Sequence, residues 1–214
     1  MRKIVQYSLA SALVLALATS AQASTLSDPT GDFLASFTGP HNGDLDVVSI
    51  SVALDGSDFV LTGVMNGAIG TTTGARYIWG VNTGTGVNNF AAIGNPGVLF
   101  NNVIALNNDG TGASSGTSLN GNIVISGASI TVRAPTSLFP STGFSLTQYG
   151  FNLWPRAVLT ATGVTIAGTA QISDFAPDNA TLSVPEPASL ALMFSGLIGL
   201  GGMRRRRTIA HRTV

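Results

Sequence analysis

The C-terminal end of the chain consists of three successive segments with different chemical character. Val184, Pro185, Glu186 and Pro187 form a short acidic segment, residues 188–203 carry no charge, and a cluster of arginines follows. The prolines cannot continue a helix backward, so the apolar run begins at about residue 188. As a helix, its 16 residues would span about 24 Å, against a hydrocarbon core of about 30 Å. We predict a single transmembrane helix here, outside any globular core.

The arginine cluster sets the orientation of this helix. It consists of Arg204, Arg205, Arg206 and Arg207. Basic residues beside a membrane span stay on the cytoplasmic side. We therefore predict that the arginines act as a stop-transfer signal, that residues 208–214 are a cytoplasmic tail, and that the Pro-Glu-Pro segment emerges outside.

The order of these parts resembles a known family feature. A Val-Pro-Glu-Pro segment, a Gly/Leu-rich helix and an arginine cluster over residues 184–207 are similar to the PEP-CTERM sorting signal of Gram-negative bacteria, a tail also labelled after ice-binding proteins that carry it. The resemblance implies cleavage near residues 185–187 by exosortase, a membrane cysteine protease-transpeptidase. It also implies transient insertion in the inner membrane, then transfer to the cell surface or extracellular matrix. The alternative is a plain C-terminal anchor.

The N-terminal end agrees with export. Two basic residues precede the largely apolar residues 4–18, and Ala21 and Ala23 form an A-x-A site. This pattern is typical of a signal-peptide helix that signal peptidase removes. We predict that residues 1–23 are removed and that Ser24 begins the mature chain. The alternative is an N-terminal anchor that is never cut.

The mature domain, residues 24–183, is strongly acidic. It contains nine Asp and three Arg, with no Glu or Lys, so its net charge is about −6, although the whole chain is neutral. Negative charge repels phosphate backbones, which argues against a nucleic-acid partner. The chain has no cysteine, so disulfides, thiol nucleophiles and Cys-ligated metals are excluded.

Short strand-like segments separated by turn residues fill this domain. The predicted strands are 47–54, 59–65, 76–82, 90–93, one or two within 97–106, 123–126, 129–133, 157–166 and 169–175, with 144–154 mixed. Asp55-Gly56 and Gly127-Ala128 indicate hairpins, and residues 135–140 a single helical turn. Turn signals every 8–12 residues are typical of antiparallel β-sandwiches and jelly rolls. We therefore predict an all-β, sandwich or jelly-roll-like domain, with a polar loop at 107–120.

A second resemblance lies at the start of this domain. The D-P-T-G-D stretch at residues 28–32 and D-L-D-V at 44–47 resemble the opening of DOMON-like and carbohydrate-binding β-sandwich modules. Residues 77–80 and 174–178 resemble stretches of other PEP-CTERM proteins of uncharacterised function. The first resemblance implies a Ca²⁺ site where the strand begins.

Four carboxylates in these stretches are candidate metal ligands. Asp28, Asp32, Asp44 and Asp46 are close enough in sequence to converge on Ca²⁺, which takes six to eight oxygen ligands. Their spacing is not that of an EF-hand. The alternative is that these residues cap turns and loops, as Asp does beside Gly and Pro.

Signals for catalysis are weak in this domain. Its one histidine, His41, is expected in an exposed turn, and Asp55 and Asp58 are expected to face water between two strands. Residues 112–116 match G-x-S-x-G, but they lie in the predicted polar loop and lack the strand-to-helix turn of a nucleophile elbow. We therefore predict a non-enzymatic surface or matrix protein that associates with extracellular polysaccharide. The alternatives are a secreted carbohydrate-active enzyme using Asp44 and Asp46, or a Ca²⁺-dependent carbohydrate-binding module.

Aromatic residues leave two interpretations open. Tyr77, Trp79, Tyr149, Phe151 and Trp154 would serve as a sugar-stacking platform if they were exposed, or as a hydrophobic core if they were buried. Tyr77 and Trp79 share one face of their strand because side chains alternate. The sequence favours the core.

Overall fold

The computed structural model of the protein describes residues 23–161, 164–166 and 168–185. All of them belong to one compact unit, Ala21–Glu186. These ranges contain β-strands and short 3-10 helices, and no α-helix occurs within them. In chain order the strands are β1 Ala23–Ser27, β2 Val47–Asp55, β3 Asp58–Met65, β4 Arg76–Asn82, β5 Asn102–Asn107, β6 Gly112–Ser114, β7 Thr117–Ser118, β8 Ile123–Ser126, β9 Ser129–Pro135, β10 Gly150–Arg156, β11 Leu159–Ala161, β12 Val164–Ile166 and β13 Leu182–Ser183.

Five strands form the first sheet, in the order β1-β2-β3-β9-β8, and all neighbours are antiparallel. The β2–β3 hairpin turns at Gly56, with φ +62°, and the β8–β9 hairpin at Gly127, with φ +58°. Positive φ is readily adopted by glycine because it lacks a Cβ. Both predicted hairpins are confirmed. The predicted helical turn after β9 is also present, as the 3-10 helix Thr136–Leu138.

Six strands form the second sheet, in the order β13-β10-β4-β5-β6-β7, again antiparallel. β10 pairs with β4 along its whole length, from Gly150 opposite Asn82 to Arg156 opposite Arg76. Its other edge is paired with β13 and with backbone bridges at Ala176 and Ile172. The late part of the chain therefore covers this edge.

A hydrophobic core lies between the two sheets. Phe59 and Leu61 of β3, Tyr77 and Trp79 of β4, and Phe151 of β10 are all fully buried in it. The Phe59 and Phe151 rings meet edge to face, with centroids 5.0 Å apart. Because alternate residues of each strand face this core, the predicted β-sandwich is confirmed.

The outer face of the second sheet carries a smaller hydrophobic cluster. Trp154 of β10 packs against Phe90, with ring centroids 5.1 Å apart, and against Phe175, at 6.0 Å. Segments 87–100 and 172–176 thus form a covering layer over part of this face. β4 and β10 are consequently buried on both faces, which explains their nearly continuous apolar sequences.

Two predicted strands are wrong, and both lie beside or within the covering layer. Residues 90–93 form a turn and the 3-10 helix Ala91–Ile93, and residues 169–175 form the end of the 3-10 helix Gly168–Gln171 followed by irregular chain. Their apolar side chains pack onto the outer face of the second sheet. A short apolar run has the same sequence pattern in a covering loop as in a buried strand.

Other differences concern short elements. Within 97–106 only β5 is a strand, and the stretch predicted as a polar loop contains β6 and β7. Residues 157–166, predicted as one strand, contain two strands, β11 and β12, which pair as a hairpin. β1 was not predicted, because it is short and polar and its strand conformation comes from pairing with β2.

The two predicted terminal helices lie outside the described residues. They cover the signal peptide and residues 188–203. In the part of the chain that the structure describes, no helix is long and apolar enough to cross a membrane.

A substitution at Gly80 tests the packing of the covering layer against the second sheet. A Cβ at Gly80 would lie 2.6 Å from the ring of Trp154, which is only 3% exposed and is held by Phe90. We expect Gly80→Ala to lower the free energy of unfolding by about 1–3 kcal/mol through overpacking, measured by urea denaturation. Val124→Ala is the control, because its side chain is 63% exposed and should change stability by less than about 0.5 kcal/mol. Equal stability of Gly80→Ala and wild type would contradict this packing.

Candidate functional site

The loop after β1 folds back onto the start of β2. The Asp28 N–H donates to the Val48 carbonyl at 2.9 Å, and the Gly31 N–H donates to both carboxylate oxygens of Asp46 at 3.0 Å. Gly31 has φ +83°, a conformation that favours glycine. These bonds fix the loop that carries Asp28 and Asp32.

Asp174 reaches the same place from the far end of the domain. Its side chain is fully buried, and its Oδ2 accepts the Val47 N–H at 2.8 Å, while Oδ1 accepts the Phe175 N–H at 2.7 Å. The first of these bonds joins residues 127 positions apart. It anchors the late segment of the chain to the first residue of β2.

Three carboxylates meet as a result. Asp28, Asp32 and Asp174 each offer one oxygen, and these oxygens all lie within 4.8 Å of one another. We call these three residues the acidic cluster. Asp178, four residues after Asp174, is close enough for its charge to act on Asp28.

Burial and mutual repulsion disfavour the ionised forms of these groups. Burial, followed by the charges of Asp178, Asp32 and Asp46, raises the pKa of Asp28 to about 8. Burial and the charges of Asp28 and Asp32 raise the pKa of Asp174 to about 8, although the Val47 N–H opposes this. Burial and Asp32 also raise the pKa of Asp178. Near neutral pH the cluster therefore holds protons unless another cation replaces them.

The cluster also contains unsatisfied oxygen atoms. Asp28 Oδ2 and Asp32 Oδ1 are buried, and no hydrogen-bond donor among the described residues reaches either atom. A buried acceptor without a donor is unfavourable. Two oxygens bound to one Ca²⁺ at 2.3–2.6 Å lie at most about 5 Å apart, which accommodates the observed spacing. A set made only of carboxylate oxygens suits Ca²⁺ or Mg²⁺ better than Zn²⁺.

The structure does not bring Asp44 and Asp46 into this group, although their positions in the sequence predict that they lie with Asp28 and Asp32. Both oxygens of the buried Asp44 accept hydrogen bonds at 2.6 Å from the backbone and hydroxyl of Thr72. Asp46 accepts from Gly31 and from the Asn66 amide. Both residues hold loops in place, which is the capping role left open as an alternative.

Asp174 is the member that sequence reasoning missed. The D-F-A-P-D stretch at 174–178 was noted only as a resemblance. Its distance along the chain from Asp28 hid the contact, because only the folded return of the chain brings the two together. The sequence gives no local signal for this role, because Asp174 lies between Ser173 and Phe175 and its burial depends on the fold.

The remaining acid and histidine candidates have structural partners. Arg133 Nη2 lies 2.9 Å from Asp55 and 3.4 Å from Asp58, so this pair forms an exposed ion-pair network. His41 is exposed, as predicted, and stacks on Phe33 with ring centroids 4.2 Å apart. Neither arrangement places a nucleophile beside a base.

The aromatic residues are core residues. Tyr77, Trp79, Tyr149, Phe151 and Trp154 are at most 3% exposed. A sugar ring cannot reach a buried ring face, so the sugar-stacking platform is wrong. The core interpretation is confirmed.

Both predicted processing signals overlap the ends of the folded domain. Ala23 is the first residue of β1, and Ser24 pairs with Val52. Val184 is 4% exposed and belongs to the main core, while Pro185 is half-buried. The other predicted signal residues, Ala21, Glu186, Pro187 and Arg204 to Arg207, lie outside the described residues. The predicted cut after Ala23 stays a prediction.

The raised pKa values give a pH dependence with a defined sign. Asp28 and Asp174 have folded pKa values of about 8 against an ordinary value of 3.8. Between these values the folded state binds more protons than the unfolded state, so stability falls as pH rises. In EGTA, we expect the melting temperature to fall from pH 5 to pH 8.5 more steeply in the wild type than in Asp28→Asn. Asp55→Asn, at an exposed ion pair, should follow the wild type. A profile that Asp28→Asn does not flatten would contradict the assignment.

Comparison with known families identifies the C-terminal tail. The PEP-CTERM protein-sorting motif matches residues 183–207. No curated protein matches the chain, and the resemblance of the mature domain to DOMON-like modules has no support from a match. The resemblance based on residues 184–207 is confirmed. The tail marks this chain as an exported protein that exosortase sorts, through a transient membrane-anchored precursor.

Proposed function

We propose that this protein is a non-enzymatic surface or matrix protein whose β-sandwich binds Ca²⁺ at the acidic cluster and associates with extracellular polysaccharide. The Ca²⁺ assignment rests on the arrangement of three carboxylates. Asp28, Asp32 and Asp174 present oxygens within 4.8 Å of one another, and no hydrogen-bond donor among the described residues reaches the buried Asp28 Oδ2 or Asp32 Oδ1. The export that this proposal needs is provided by the PEP-CTERM tail.

The role of Ca²⁺ at this site would be structural. Asp28, Asp32 and Asp174 would hold the ion, with Asp178 and carbonyls of the loop after β1 as further oxygens available to it. When bound, Ca²⁺ supplies the positive charge that offsets repulsion among the carboxylates. It would tie the loop after β1 to the segment that carries Asp174, in addition to the Val47 hydrogen bond.

Export and surface chemistry support the proposed association with polysaccharide. The mature domain displays Asn, Thr and Ser in place of Lys and Glu, and such side chains donate and accept hydrogen bonds with sugar hydroxyls. The carbohydrate-active enzyme is not favoured by any specific observation, because both oxygens of Asp44 are bound to Thr72 inside the fold. Release of new reducing ends from a polysaccharide would support that alternative. A Ca²⁺-dependent carbohydrate-binding module would use the same acidic cluster.

Calorimetry with added Ca²⁺ tests the metal site. For a Kd of about 10⁻⁴ M, typical of extracellular sites, 5 mM Ca²⁺ stabilises a protein by about 2 kcal/mol, or roughly 5 °C for a domain of this size. We expect this shift in the wild type and its loss in Asp32→Asn. The same variant should melt at a higher temperature than the wild type in EGTA, because one repelling carboxylate is removed.

Asp55→Asn is the matched control. It removes one carboxylate from the exposed ion pair with Arg133 and should retain the full Ca²⁺ shift. No shift in the wild type, or a full shift in Asp32→Asn, would overturn the metal assignment and leave the sorting assignment untouched.

Peptide mapping tests the processing. We expect the surface or secreted form to lack residues 204–214 and to retain Val184, because its side chain is part of the main core. Chains recovered from an exosortase-deficient strain serve as the control and should keep residues 204–214. A processed form that ends before Ser183 would contradict the structural role of Val184. A surface form with the intact tail would contradict processing.

A further inference from the structure

The covering layer leaves part of the outer face of the second sheet open. There, β4 to β7 form a shallow groove of about 400 Å³. Its floor contains Ala105 and Ala113, and its polar side chains are those of Arg76, Asn107, Thr111, Ser118 and Asn120. We call this the β4–β7 groove. Its small floor residues leave room for a flat, polar ligand.

Arg76, at one end of the groove, stands beside a second arginine. Arg76 lies directly opposite Arg156 on β10 and opposite Asn107 on β5, so these three side chains share a face. Arg156 is held by hydrogen bonds from Nη2 to the Gly168 carbonyl and to Gln171 Oε1. Burial and the charge of Arg76 lower the pKa of Arg156. Arg76 is exposed, and its guanidinium makes no hydrogen bond within the described ranges.

No carboxylate neutralises this pair. Nine of the ten acidic residues of the chain are described, and the only ion pairs found among them belong to Arg133. The nearest acid in sequence to the groove residues is Asp109, whose carboxylate accepts hydrogen bonds from the backbone and hydroxyl of Thr111. An unneutralised pair of guanidinium groups on a domain of net charge about −6 is a local site of attraction for anions.

Polar atoms along the rest of the groove are free to bind a ligand. Asn107 donates to Thr111, and Asn120 accepts from Gly112. Among the described residues, Asn107 Oδ1 and Asn120 Nδ2 have no partner, which leaves one acceptor and one donor for hydroxyl groups. Guanidinium groups bind carboxylates through paired hydrogen bonds. A ligand with carboxylates and many hydroxyls on a linear chain matches this arrangement.

We propose that the β4–β7 groove binds an acidic polysaccharide, with Arg76 recognising the carboxylate of a uronic acid unit and Asn107 and Asn120 recognising hydroxyls. This inference rests on the polysaccharide association proposed above and narrows it to one class of polymer and one face of the domain. Binding involves no covalent step. Its electrostatic part weakens as salt rises, because Arg76 is exposed.

A comparison of two polymers with the same backbone tests the inference. The full chain in detergent micelles is titrated with polygalacturonate and with fully methyl-esterified polygalacturonate, in EGTA so that Ca²⁺ cannot bridge polymer and acidic cluster. We expect the wild type to bind polygalacturonate at least about fivefold more tightly than its ester, with a difference that shrinks between 20 and 200 mM salt. Arg76→Gln should bind both polymers equally.

Arg133→Gln is the matched control, since it removes the same charge at an ion pair on the other sheet, and it should stay within twofold of the wild type. Equal binding of both polymers by the wild type overturns the groove assignment and leaves polysaccharide association standing. Binding of neither polymer overturns both. If Arg76→Gln fails to fold, the polymer comparison on the wild type still decides the question.

Discussion

The hydrogen bond from the Val47 N–H to the buried carboxylate of Asp174, 2.8 Å long, is the contact on which the candidate site depends. It fixes the late segment of the chain at the point where β2 begins. Phe175 is thereby held on the outer face of the second sheet, against Trp154, and Asp174 is held beside Asp28 and Asp32. One buried carboxylate therefore connects the covering layer, the acidic cluster and the edge of the second sheet.

Local patterns predicted the elements whose burial alternates along the chain. β2, β3, β8 and β9 lie within two residues of their predicted positions, because apolar side chains recur at every second position and Gly56 and Gly127 mark the turns. β4 does not alternate, since it is buried on both faces, and its run of apolar and aromatic residues predicted it instead. The covering layer was not predictable in this way. Phe90 and Phe175 resemble buried strand residues in sequence, and only the three-dimensional neighbourhood of Trp154 shows that they belong to loops.

The same limit applies to the acidic cluster. Asp28 and Asp32 were identified from a local motif, whereas Asp44 and Asp46 were grouped with them by proximity in sequence. Hydrogen bonds to Thr72 and to Gly31 decide the roles of these two residues, and such bonds depend on the fold. Charge composition predicts an acidic domain but not a local pair of arginines. The register of β4 against β10 places Arg76 beside Arg156.

The pairing of β10 also has a consequence for contacts between copies of this domain. An exposed strand edge readily recruits a strand from a neighbouring molecule. Here the short strand β13 and the bridges at Ala176 and Ile172 occupy that edge with chain from the same molecule. Adjacent copies of the domain thus meet few free backbone groups along β10, and this edge resists pairing into fibres.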